Sequence, residues 1–71
     1  MFRCKIVSRA IASAGYDAQY PILEVEFALD GQIWQYQGVP EDIWYRMKTE
    51  KLPDDYFRSY IQGRFQEKMI F

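Results

Sequence analysis

From Leu23 to Pro40 apolar and polar positions alternate almost without a break, in two runs that meet at Asp30-Gly31. Period-two alternation predicts half-buried strands. An Asp-Gly pair between them predicts a two-residue type I′ turn, whose positive backbone angles suit the twist of the flanking strands. A hairpin closed in that way sets Phe27 opposite Trp34, Val25 opposite Tyr36 and Leu23 opposite Gly38, with Leu29 beside Gln32. On its other face Glu26 meets Gln35 and Glu24 meets Gln37. One face is thus apolar and aromatic, the other acidic and amide, and the first is expected to be core. Ile11 to Tyr16 supplies another strand of the meander, and Phe2 to Ile6 alternates in the same way, as a candidate edge strand. Gly15 inside the Ile11 to Tyr16 run is expected to mark a bulge or a close backbone approach.

Beyond Gly38 the period changes. Val39-Pro40-Glu41-Asp42 reads as a helix start, with proline at the first helical position and two carboxylates against the positive end of the dipole. Ile43, Trp44 and Met47 share one face of that helix, Lys48 and Lys51 suit its last turn, and Leu52 closes it. Pro53-Asp54-Asp55 opens a second helix in which Phe57, Tyr60 and Ile61 form an apolar stripe, with Gly63 as the stop. The expected fold class is α+β: a small antiparallel β-meander of three strands, four if the N-terminal run joins, with two helices packed on one face to cover the aromatic side of the hairpin. A single domain spans residues 1–71, its core at about 8–65 and a tail at 66–71.

Composition narrows the function classes. The chain has 71 residues, 49% of them hydrophobic and 18% aromatic, which suits one ordinary small core rather than disorder. Nine Lys and Arg face ten Asp and Glu, a net charge of −1. The charge is uneven: residues 1–10 carry Arg3, Lys5 and Arg9 and no acid, whereas residues 11–45 carry six acids and no base. No apolar run is long enough for a membrane span or a signal peptide, so a cytoplasmic location is expected, and the lone Cys4 fits a reducing compartment. The acid-free, serine-containing start also has the composition of an organellar presequence; a basic strand is the simpler reading.

The chemistry on offer is sparse. Histidine is absent, which removes the commonest general base and metal ligand. Cys4 has only Lys5 beside it to lower its pKa and is read as a packed strand residue. Asp54 and Asp55 are adjacent, so on a helix they diverge, and the first turn is where acids belong for structural reasons. The four glycines are isolated, and no phosphate-cradling loop exists. No catalytic residue, cofactor or metal is expected, and the chain is read as a non-enzyme. Trp34 and Tyr36 alternate as base-stacking aromatics do in RNA-binding sheets, but they share a face with Leu23, Val25 and Phe27 and are assigned to the core. The remaining basic and aromatic candidates are Arg9, Arg58 and Arg64 with Tyr16 and Tyr60, since interleaved arginine and tyrosine can hold a phosphate and stack a base.

The segments Ile11 to Asp17, Leu23 to Phe27, Trp34-Gln-Tyr36, Gly38-Val-Pro-Glu41, and Tyr56-Phe57 through Gly63-Arg64 together resemble the KTSC domain. This small module is found at the C-terminus of some lysyl-tRNA synthetases and as stand-alone bacterial and phage proteins. The resemblance runs from about Ser8 to Phe65. It implies a binding module, with RNA suggested by the synthetase context. Two departures stand out: Trp34 occupies the first position of a motif that is usually Tyr-x-Tyr, and Phe65-Gln66-Glu67-Lys68 replaces a more basic and aromatic ending.

Two functional expectations follow. The first is weak RNA binding through Arg9, Tyr16, Arg58, Tyr60 and Arg64. The second is a protein-interaction module acting through a sheet edge or through aromatics on the helix surface, with Trp44 and Tyr45 as candidates because adjacent helical residues cannot both face inward. An unpaired N-terminal edge strand would also permit a homodimer.

Overall fold

The computed structural model describes residues 3–6 and 8–71. Phe2, where the candidate edge strand was expected to begin, lies outside them. Five antiparallel strands form one sheet in chain order: β1 (Arg3–Lys5), β2 (Ile11–Asp17), β3 (Ile22–Phe27), β4 (Ile33–Gln37) and β5 (Gln66–Met69). Helices α1 (Glu41–Thr49) and α2 (Pro53–Tyr60) lie between β4 and β5 in sequence. The α+β class and the helix pair match the sequence reading, and the N-terminal strand is real. The expected strand count is corrected upward to five, because residues 66–69 of the supposed tail pair with β4, with Met69 opposite Trp34 and Glu67 opposite Tyr36. All four β5 residues are exposed. A charged, polar edge strand carries none of the alternation that betrays a half-buried one.

The hairpin register also needs correction. Val25 pairs with Trp34, Leu23 with Tyr36 and Glu24 with Gln35, two residues from the expected alignment. Asp30 does not take the positive φ that a type I′ turn demands; only Gly31 does, at 74°. The connection is instead a four-residue loop, Ala28 to Gly31. The Gly31 N–H donates to the Phe27 carbonyl at 3.0 Å and the Phe27 N–H to the Gln32 carbonyl at 2.9 Å. Because side chains alternate with period two, a slip of two leaves every residue on its expected face. A bulge lies between Ile11 and Ser13 rather than at Gly15, and it lets both Ile11 and Ala14 turn toward the core.

The core forms between one sheet face and the helices. Ile11, Ala14, Leu23, Val25 and Tyr36 come from the strands, Val39 from the connection, Trp44 and Met47 from α1, and Phe57 and Ile61 from α2 and its end. Phe57 fixes α2 to the sheet, its ring set edge-on to Tyr36 at 5.2 Å and to Phe27 at 5.7 Å between centroids. Tyr16 stacks on Trp44 of α1 at 5.9 Å and 12°. The buried stripe of α2 is Pro53, Phe57 and Ile61, at spacings of four; Tyr60, placed in that stripe by the sequence reading, is 55% exposed. Among the described residues no helix is long and apolar enough to cross a membrane.

Candidate functional site

The helices do not cover the whole aromatic face. β3 and β4 carry Phe27, Trp34 and Tyr36 on the same side; Phe57 of α2 packs on Phe27 and Tyr36, whereas Trp34 stays partly exposed. The gap is a cleft of about 370 Å³ walled by Phe27, Trp34 and Tyr36, with Leu29 from the hairpin loop at its rim. Its polar lining consists of Asp30, Gln32, Gln62 and Glu67, so every charged side chain among the described lining residues is acidic. The Trp34 indole Nε1–H donates to Gln32 Oε1 at 3.1 Å, and the Gln32 N–H to Asp30 Oδ1 at 3.1 Å. Glu67 accepts from the Gly63 N–H at 3.4 Å, tying β5 to the turn after α2. Burial first, and the Glu67 carboxylate second, push the Tyr36 phenol well above its ordinary range, so it is a neutral hydroxyl at physiological pH.

Exposed apolar side chains gather at the hairpin loop and at the chain end that pairs with β4. Leu29 is 96% exposed, and Met69, Ile70 and Phe71 are exposed at the end of β5. These residues are held together: Met69 stands opposite Trp34, and Ile33 exchanges backbone hydrogen bonds with Ile70 and Phe71 at 2.8–3.3 Å. The sequence reading missed Leu29, Gln62 and Glu67. Asp30-Gly31 placed a turn beside Leu29, but only the register of β5 reveals that Glu67 faces Tyr36.

The five residues suggested for RNA do not converge. Tyr16 is packed under Trp44 and its hydroxyl donates to the Val39 carbonyl at 2.6 Å; burial, then Glu41 and Asp42, raise its pKa. Arg58 pairs with Asp55 one turn back on α2. Arg64 Nε donates to the Ser59 carbonyl at 2.8 Å, closing the end of α2. Tyr60 leans on Tyr56, centroids 4.7 Å apart. Arg9 sits in the β1–β2 connection, sharing a shallow depression with Pro53 and Asp54 at the start of α2. Arg9 and Arg64 therefore occupy opposite ends of an eight-residue helix, about 12 Å long. Of the aromatic pair on α1, Trp44 is core and Tyr45 is exposed, and Lys48 Nζ lies over both rings at 5.0 and 5.3 Å.

The opposite sheet face is knitted by its own polar side chains. Arg3, Gly15, Glu24, Gln35 and Lys68 stand in one row across five strands. Gly15 has no side chain to intervene, so Arg3 reaches over it to form an ion pair with Glu24. Gln35 donates to the other Glu24 oxygen at 3.0 Å, and Ser13 links Arg3 to Glu26. Glu24 is consequently only 5% exposed, on the face turned away from the helix-covered core. Cys4 is exposed on β1, not packed as expected. Asp55 is engaged by Arg58, and among the described residues no group of carboxylates or thiols could hold a metal ion.

Comparison with known proteins agrees with this architecture. The family model described as the KTSC domain matches residues 7–65. The crystal structure of a KTSC domain protein from Yersinia pestis superposes with a TM-score of 0.93 at 31% identity, covering 99% of this chain and 97% of that one. No curated protein matches the chain.

Proposed function

This chain belongs to the KTSC domain family, and we propose that it is a non-catalytic interaction module that captures an extended segment of a partner protein along β5, beside the aromatic cleft. The observation that carries this reading is the apolar rim at one corner of the sheet. Leu29, Met69 and Phe71 are exposed there around a half-covered Trp34. Scattered exposed apolar residues need no explanation, but a group joined to a concave aromatic wall does. β5 is the last strand of its sheet, and an edge strand offers backbone donors and acceptors to an added strand.

Charge supports a protein partner over RNA. Asp30 and Glu67 at the cleft repel phosphate, while Arg58 and Arg64 are engaged within α2 and its end. The test is titration of isotope-labelled protein with strand-forming peptides and, in parallel, with single-stranded and duplex RNA. The expected result is amide shifts from peptide at Gln32, Trp34 and residues 66–71. Salt-sensitive shifts from RNA at Arg9, Arg58, Tyr60 and Arg64, with none from peptide, would replace this reading with RNA binding.

A further inference from the structure

Resting on that docking reading, we propose that the cleft receives a single basic side chain, lysine or arginine, projected by the docked segment. Three features of the lining select this occupant. Its aromatic walls are Phe27 and Trp34, over a Tyr36 that is almost fully buried, and aromatic rings attract cations as well as apolar stems. Its charged groups are the carboxylates of Asp30 and Glu67, with no base among the described lining residues. Its volume of about 370 Å³ admits a long side chain laid along the wall without filling the space. Lysine and arginine combine an aliphatic stem with a charged head, which matches an apolar wall with acids at the rim.

The internal bonding of the site leaves those features available. The Trp34 indole N–H is already satisfied by Gln32, so the ring is what remains for a ligand. Asp30 uses Oδ1 for the Gln32 N–H and Glu67 uses Oε1 for the Gly63 N–H, which orients each carboxylate and leaves its second oxygen for an incoming cation. An anionic group would meet only like charge, and a purely apolar one would strip water from two carboxylates without replacing it.

The test uses the intact chain and blocked strand-forming pentapeptides that carry lysine, arginine, norleucine or glutamate at the centre. Affinities are read from shifts of the Trp34 indole and the Gln32 and Glu67 amides. The lysine and arginine peptides are expected to bind about tenfold more tightly than norleucine, with glutamate weakest; the first two also report which cation is preferred. Asp30→Asn and Glu67→Gln keep the oxygens that accept from Gln32 and Gly63 while removing the charge. Each is expected to erode the preference for lysine and arginine from both sides, weakening those peptides and tightening norleucine, because a neutral amide costs less to strip of water than a carboxylate; retained norleucine binding shows that the cleft is intact. Norleucine binding in the cleft as tightly as lysine would overturn the cation inference while leaving strand docking in place. An absence of shifts with every peptide would overturn both.

Discussion

Trp34 and Tyr36 stand two residues apart on one strand and one face, yet they have opposite surroundings. Tyr36 is 1% exposed beneath the edge of Phe57 and reaches the cleft only as its buried floor, whereas Trp34 is partly exposed along the cleft wall. Chemistry does not separate them; coverage does. The same contrast divides the whole aromatic face. Its closed end, Tyr16, Trp44, Tyr36 and Phe57, is filled by helix side chains and builds stability. Its open end, Trp34 and Leu29 with Phe27 shared between the two ends, has apolar surface the fold does not use, which suits it to a partner.

Mutations at the two ends should therefore separate folding from binding. The largest loss belongs to Phe57→Ala, which removes both edge contacts to the sheet and is expected to cost about 3–5 kcal/mol in denaturant unfolding; Trp34→Ala should cost less than half as much. Tyr36→Phe tests the closed end by pH. The Tyr36 phenol is raised above its ordinary value of 10.0, so the native state holds this proton more tightly than the unfolded chain does. Its contribution is fully present below the unfolded-state pKa and is lost as pH rises from there toward the folded-state value. Unfolding midpoints followed upward from about pH 10 should fall more steeply for the native protein than for Tyr36→Phe. Tyr16→Phe removes the hydrogen bond to Val39 and is expected to cost about 1 kcal/mol. At the small end, Arg58→Ala breaks an exposed ion pair and should change stability by less than about 0.5 kcal/mol. Leu29→Lys should barely alter the unfolding midpoint but abolish docking of the lysine peptide; a fold that fails with Leu29→Lys, or docking that survives it, would dissolve the division between the two ends.

The closed end was legible in the sequence because local pattern controls it. Alternation placed Leu23, Val25 and Tyr36 on one face even though the turn type and register were misjudged, since a two-residue slip preserves the face. Pro40 and Pro53, each followed by two acids, located both helix starts. The open end was not legible, because it depends on where elements stop relative to one another. Nothing in Pro53-Asp54-Asp55-Tyr56-Phe57 says that Phe57 covers Tyr36 and leaves Trp34 partly exposed. Gln66-Glu67-Lys68-Met69 has no periodicity, and strand β5 exists because Gln35 and Tyr36 offer it a ladder. Of the candidates chosen by residue type, Trp44 is core and Tyr45 exposed, as adjacency on a helix required, while Arg58 and Arg64 are exposed and make local contacts at the end of α2.

The two tryptophans offer the most direct test, since one lies at each end. In protein labelled with 5-fluorotryptophan, a strand-forming lysine peptide is expected to shift the fluorine resonance of Trp34 and leave that of Trp44 in place. A shift confined to Trp44, or RNA moving either resonance while the peptide moves neither, would contradict the claim that the uncovered end of this face is the binding site.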